Sequence, residues 1–163
     1  GELFILRCLG AMVAPPGDGA PPAEGAAVEY AVGVLGVRNI VVCGHSVCGA
    51  IKAAKSGHVP DELPTLQRWL AQVPAACGDL SHHACNDDAA RAVAVRQLDN
   101  LRAFPLVRER IERGELELHA WFYDVGQAEL FEWDEAKQAF AVMGTHHRSE
   151  VPSLPPPSLE QAS

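Results

Sequence analysis

The stretch that decides the fold is Asn39–Gly49, which reads NIVVCGHSVCG. Its first part, Asn39–Cys43, contains a β-branched run without polar alternation, which predicts a strand buried on both faces, as in a parallel sheet. Glycines and polar residues follow, and a helix is predicted over Ala50–Lys55. Open parallel sheets bind ligands beyond the carboxyl ends of their strands, so we expect a functional site at this junction.

The sequence on both sides of this stretch predicts further helices and strands. The apolar run Leu3–Arg7 predicts a buried strand, and one apolar stripe predicts a helix over Ala23–Leu35. Strand, helix and strand then form a βαβ unit with a right-handed crossover. Other predicted elements are helices over 63–73, 89–104 and 106–113, a strand over 116–125, and its hairpin partner over 129–133.

Composition favours one folded domain. The 163 residues are 48% hydrophobic, which is enough for a modest core and too apolar for a disordered chain. After Val142 the sequence becomes polar and then proline-rich. We therefore expect a domain over residues 1–142 and a flexible tail over 143–163.

Charge, hydropathy and cysteine content restrict the partners and the compartment. With 13 Lys and Arg against 21 Asp and Glu, the net charge is −8, which disfavours nucleic acid because phosphate binding needs cationic contacts. No apolar run approaches the roughly 20 residues of a membrane span, and we expect neither membrane attachment nor a signal peptide. Five cysteines are odd in number and few for a disulfide scaffold, so we expect reduced thiols and a cytoplasmic location.

The chemistry of the junction centres on His45 and Cys48. Imidazole and thiolate are both good zinc ligands, and this spacing allows both to face one ion from a turn. Two ligands are too few for tight zinc binding, so the pair by itself also fits a chance arrangement without metal. A second group fits either another metal site or a solvated linker: Cys77, His82, His83 and Cys85.

Several motifs, in order, resemble the β-carbonic anhydrase family. Glu29–Ala50, which reads EYAVGVLGVRNIVVCGHSVCGA, is similar to a family helix "EYAV-x-x-LGV" followed by "IVVCGHSxCGA". Gly1–Arg7 is similar to the second strand of the family. The resemblance continues through Gln97–Leu101, Phe104–Val107, Gly114–Leu116 and Trp121–Gly126.

The resemblance implies a fold, a reaction and a metal. The fold is α/β, with a mostly parallel sheet flanked by helices and assembled as a homodimer or higher homo-oligomer. The reaction is the zinc-dependent, reversible hydration of carbon dioxide to bicarbonate. By the same resemblance, His45 and Cys48 are the second and third zinc ligands.

One family motif is missing from this sequence. The first strand of the family ends in C-x-D-x-R, which supplies the remaining zinc ligand and an Asp–Arg pair that gates the open metal position. That motif would precede the segment matched by Leu3–Arg7, so the catalytic residues stay unknown and a central strand is missing beside Asn39–Cys43. Because the chain starts at Gly1 and not at Met, we expect a piece of a longer protein, with a rearranged fold as the alternative.

A second departure introduces another candidate ligand. Where the family usually reads R-N-A-G-N, this chain has Arg7-Cys8-Leu9-Gly10-Ala11. Cys8 becomes a third ligand if the two strands flanking the missing one close up.

The sequence therefore leaves three functions open. The leading one is a carbonic anhydrase, and the second is a catalytically silent subunit that acts as a structural or interaction partner. A redox role for Cys43 and Cys48 is the weakest, since their spacing is not C-x-x-C.

Overall fold

A four-stranded sheet forms the centre of the protein. The structure is a computed structural model that describes residues 3–17, 23–73 and 78–143. The strands, in spatial order, are β1 (Asn39–His45), β2 (Glu117–Asp124), β3 (Glu129–Asp134) and β4 (Ala139–Val142). β1 and β2 are parallel, with His45 opposite Tyr123, while β3 and β4 continue the sheet as antiparallel neighbours. A parallel pair needs a crossover, and the helices between β1 and β2 provide it.

Helices flank this sheet. They are α1 (Ala23–Glu29), α2 (Gly49–Ser56), α3 (Pro64–Leu70), α4 (Asn86–Arg102) and α5 (Pro105–Glu112). A π-helical turn, Tyr30–Val34, extends α1, and a 3-10 turn lies at Leu9–Ala11. Pro105 begins α5 because its ring fits the first helical position, where its missing N–H is not needed. In the described part of the chain, no helix has the length and apolar character needed to span a membrane.

Helix α4 organises the core. Its buried residues contribute to two apolar clusters, one containing Leu98 and Leu101 and the other containing Ala90 and Val93. Two buried amides on the same helix hold the N-terminal segment, since the Val13 N–H donates to Gln97 Oε1 (2.8 Å) and Asn100 Nδ2 donates to the Val13 carbonyl (3.0 Å). These bonds satisfy buried backbone groups that have no strand partner there.

The α/β class and the main elements are confirmed. The helices predicted over Ala23–Leu35 and Ala89–Phe104 occur with shifts of a few residues at their ends, and the hairpin after β2 forms. In the described residues β1 pairs only with β2, so its other edge is free, as the missing central strand predicts. The proposed tail, residues 143–163, lies almost wholly outside the described residues, as does Cys77.

The prediction of a strand over Leu3–Arg7 is wrong. The segment forms no strand, and Leu3 and Ile5 are 78% and 67% exposed. Strand formation needs a neighbour to satisfy the backbone groups, and the described residues provide none beside this segment. The βαβ unit that this strand would open is therefore absent from the described chain, and β1 finds its parallel partner in β2 instead.

Two expectations about the sheet also need correction. β1 is not buried on both faces: burial alternates along it, with Val42 and Gly44 buried and Val41, Cys43 and His45 exposed. The sheet is mixed, not mostly parallel, because only one of the three pairings among the described strands is parallel. Strand β4 was not predicted, and its pairing with β3 adds one of the two antiparallel contacts.

We expect Gly44→Ala to destabilise the fold. A Cβ at Gly44 would lie 3.1 Å from the backbone carbonyl oxygen of Ala90, so β1 or α4 must shift to admit it. Overpacking of this kind costs about 1–3 kcal/mol in the free energy of unfolding, measurable by urea denaturation. Gly49→Ala is the matched control, because a Cβ there meets no atom within 4 Å. Equal stability of the two variants would contradict this close packing.

Candidate metal centre

His45 is the last residue of β1 and is an exposed residue. Its Nδ1 lies 2.9 Å from the Ser46 carbonyl oxygen. A carbonyl can only accept, so this contact places the ring proton on Nδ1 and leaves the lone pair of Nε2 available. The imidazole is thus oriented as neutral metal-binding histidines commonly are, with one nitrogen bonded to a carbonyl.

Ser46 fixes the start of the turn that follows. The residue is buried, and its backbone N–H donates to the Tyr123 carbonyl (2.9 Å). Its Oγ accepts a hydrogen bond from the Val125 N–H (2.9 Å). Both bonds join the carboxyl end of β1 to that of β2, so the parallel pairing positions the turn.

Val47 adopts a left-handed backbone conformation, with φ at 56°. For an L-residue this conformation costs about 1–2 kcal/mol, and its 84% exposed side chain offers little packing in return. Its N–H donates to Asp87 Oδ1 (2.9 Å), in the first turn of α4. The turn is therefore held from β2 at Ser46 and from α4 at Val47.

Cys48 lies directly after the turn, at the N-cap position of α2. It is 7% exposed and belongs to the apolar cluster that includes Ile51 and Phe122. Cys48 is a free thiol. The strand end, the turn and the helix start thus supply one imidazole nitrogen and one thiol sulfur, which are both suitable for zinc.

The structure does not gather a third ligand around this pair. Among the described residues, no three His, Cys, Asp or Glu side chains are grouped so that they could hold a metal ion. Cys8 is half-buried beside the 3-10 turn, and burial together with the Glu24 carboxylate raises the pKa of its thiol. A thiol with a raised pKa carries less of the thiolate form that binds metals.

The described members of the second histidine and cysteine group, His82, His83 and Cys85, lie at or just before the start of α4. Cys85 is its N-cap, and its sulfur accepts a hydrogen bond from the Asp88 N–H (3.3 Å). The ring centroids of His82 and His83 lie 4.4 Å apart with the rings tilted by 32°. Burial, together with the neighbouring His82, lowers the pKa of His83. The described members of this group therefore have a local structural role.

Asp87 was not predicted as part of the site. It lies 40 positions from Val47, in a stretch that reads only as a helix start, so no spacing or motif connects the two. Ser46 was part of the quoted motif, but its bonds to β2 depend on the strand pairing and could not be read from the motif.

The comparisons with known proteins agree with this architecture. A family model described as "Carbonic anhydrase" matches residues 1–130. The solved structure of the β-carbonic anhydrase CcaA aligns with 88% of this chain and 73% of its own, at a TM-score of 0.78 and 34% identity. The chain belongs to the β-carbonic anhydrase family. This is a family of enzymes, and the resemblance found in the sequence motifs is confirmed.

Further members of the family show how much of the relatives' length this chain matches. A carbonic anhydrase of Pseudomonas aeruginosa is 42% identical over 90% of this chain and 69% of its own length. One from Synechocystis is 37% identical over 82% of this chain, which spans only 52% of that relative. The two tetrameric β-carbonic anhydrases of Sordaria macrospora are represented by a structure with a TM-score of 0.63 and 27% identity, aligned over 81% of this chain and 68% of its own.

We expect Ser46→Ala to destabilise the protein by about 1 kcal/mol, because the Val125 N–H loses its acceptor at a partly buried position. Chemical denaturation followed by circular dichroism measures the change. Ser56→Ala at the exposed end of α2 is the matched control, since its hydroxyl bonds to nearby backbone groups in exposed positions, the Ala53 carbonyl (3.1 Å) and the His58 N–H (3.3 Å). A loss in the control as large as that in Ser46→Ala would argue against the role of Ser46 between the strands.

Proposed function

We propose that this chain carries the His–Cys half of a zinc centre for the reversible hydration of carbon dioxide to bicarbonate. The single observation that supports it best is the β1–α2 junction. There, an Nε2 lone pair of His45 and the thiol of Cys48 flank a turn held from both sides. Membership of the β-carbonic anhydrase family supports the reaction.

The donor atoms of His45 and Cys48 fit zinc. Nitrogen and sulfur ligands are those that zinc prefers, and His45 and Cys48 would hold the ion at the carboxyl end of β1. When bound, zinc supplies Lewis-acid activation of water at neutral pH. The residues of this chain would orient the ion, His45 through its bond to the Ser46 carbonyl and Cys48 through its burial beside Ile51.

The remaining zinc ligand has to come from another residue of this chain or from a second copy of it. Cys8 is the candidate within this chain, although its raised thiol pKa works against it. The Asp–Arg pair that the family resemblance implies has no counterpart in the sequence, so no residue is assigned to proton transfer. We propose a homo-oligomer, which the tetrameric relatives support, as the form in which the site is completed.

The chemical character of the chain agrees with this reaction. Its net charge of −8 does not repel carbon dioxide, which is neutral. The cysteines in the described part are free thiols, which supports the proposed reducing, cytoplasmic location.

A silent subunit is the second candidate function. It is favoured by the absence of a third ligand among the described residues and by the exposed apolar segment Leu3–Leu6. Large exposed apolar surface is typical of contact sites, so this subunit would act by binding another chain.

We expect His45→Ala and Cys48→Ala each to abolish zinc retention, because losing either ligand leaves fewer protein ligands than the three that a catalytic zinc site needs. Zinc per chain, measured by elemental analysis after dialysis, is the readout. The matched controls are His58→Ala and Cys85→Ser, which change the same residue types elsewhere and should keep the parent's zinc. Full zinc occupancy in both site variants would rule out the proposed centre.

Cys8→Ser tests the third ligand. If Cys8 completes the centre, the variant loses most of the parent's zinc affinity; a variant that binds zinc like the parent excludes Cys8. A carbon dioxide hydration assay on the zinc-loaded parent then separates the two functions. Hydration above the buffer rate supports the enzyme, and zinc retention without hydration supports the silent subunit.

A further inference from the structure

The turn between the two proposed ligands needs an external support. Only Ser46 and Val47 separate His45 from Cys48, and within these two residues the chain changes from a strand to the N-cap of a helix. Val47 makes this change possible by its left-handed conformation, which a β-branched residue rarely adopts. Because its side chain is exposed, the support has to come from its backbone.

Asp87 provides that support. Its Oδ1 accepts the Val47 N–H at 2.9 Å, across 40 positions of sequence. The bonds of Ser46 to β2 hold only the first half of the turn, so the half next to Cys48 depends on Asp87.

Helix α4 makes Asp87 a rigid anchor. The residue lies in the first turn of a 17-residue helix whose buried face reaches Ala90, one turn further on. Ala90 is also where α4 approaches Gly44 so closely that a Cβ would be 3.1 Å away. The same helix end therefore contacts β1 just before His45 and holds the turn just after it.

We infer that Asp87 is a positioning residue for the metal ligands, setting the orientation of His45 relative to Cys48 before any metal binds. The inference rests on the proposed zinc function. Residues that orient metal ligands typically change metal affinity by about 10- to 100-fold when they are removed. Asp87 would act only through the Val47 N–H, without itself being a ligand, since the described residues contain no group of three metal-binding side chains.

The test compares Asp87→Ala with Asp87→Asn, which keeps an Oδ1 acceptor. Zinc affinity is measured by calorimetric titration of the full chain, and Val47 amide hydrogen exchange by NMR on the metal-free protein. In Asp87→Ala, we expect zinc affinity to fall about 10- to 100-fold and Val47 exchange to accelerate about tenfold, as a lost hydrogen bond predicts. Asp87→Asn should stay close to the parent in both measurements.

Asp99→Ala is the matched control, because this aspartate lies on the same helix, is exposed, and its carboxylate pairs with Arg96 and Arg102. It should leave zinc affinity and Val47 exchange unchanged. Zinc affinity equal to the parent's in Asp87→Ala would overturn the inference while leaving the proposed function intact. A loss in Asp87→Asn as large as in Asp87→Ala would also overturn it, since the carboxylate charge and not the hydrogen bond would then matter.

Val47→Gly gives an independent check, because glycine adopts the left-handed conformation without strain. In the Val47→Gly background, Asp87→Ala should cost clearly less zinc affinity than in the parent. An undiminished loss would overturn the inference. A parent chain that binds no zinc at all would overturn the proposed function and this inference together, whatever Asp87 does.

Discussion

The parallel pairing of β1 with β2 is the interaction on which the rest of the structure depends. It places His45 opposite Tyr123 and brings the carboxyl ends of both strands to one edge of the sheet. Ser46 can then bond to the Tyr123 carbonyl and to the Val125 N–H, so the turn begins from a fixed point. The crossover that a parallel pair requires also brings α4 across the sheet and places Asp87 next to Val47. The candidate site is thus a consequence of the sheet topology.

Much of the fold could be predicted because it depends on local patterns. The helices follow from apolar periodicity and from breakers such as Pro105, and β1 follows from its β-branched run. The strand prediction for Leu3–Arg7 was wrong because an apolar run becomes a strand only beside a hydrogen-bonding neighbour. The local sequence does not show whether such a neighbour is present. Strand β4 was missed for the same reason, since its four residues become a strand through pairing with β3.

The candidate site could likewise be predicted only in part. His45 and Cys48 could be named from their motif, because the chemistry of zinc requires nitrogen and sulfur ligands at a spacing that a turn can present. The orientation of His45 by the Ser46 carbonyl, and the support of Val47 by Asp87, could not be predicted, since both depend on how the backbone turns and on which helix packs there. Motifs identify ligands, whereas the groups that position those ligands are set by tertiary structure.

The central claim is that this turn presents one imidazole and one thiolate to the same zinc ion. X-ray absorption at the zinc edge, recorded on the zinc-loaded chain, tests it most directly. We predict that the zinc ligands are mixed, with at least one sulfur at about 2.3 Å and an imidazole nitrogen at about 2.0–2.1 Å. A shell of oxygen and nitrogen alone, or a chain that retains no zinc to measure, would contradict it.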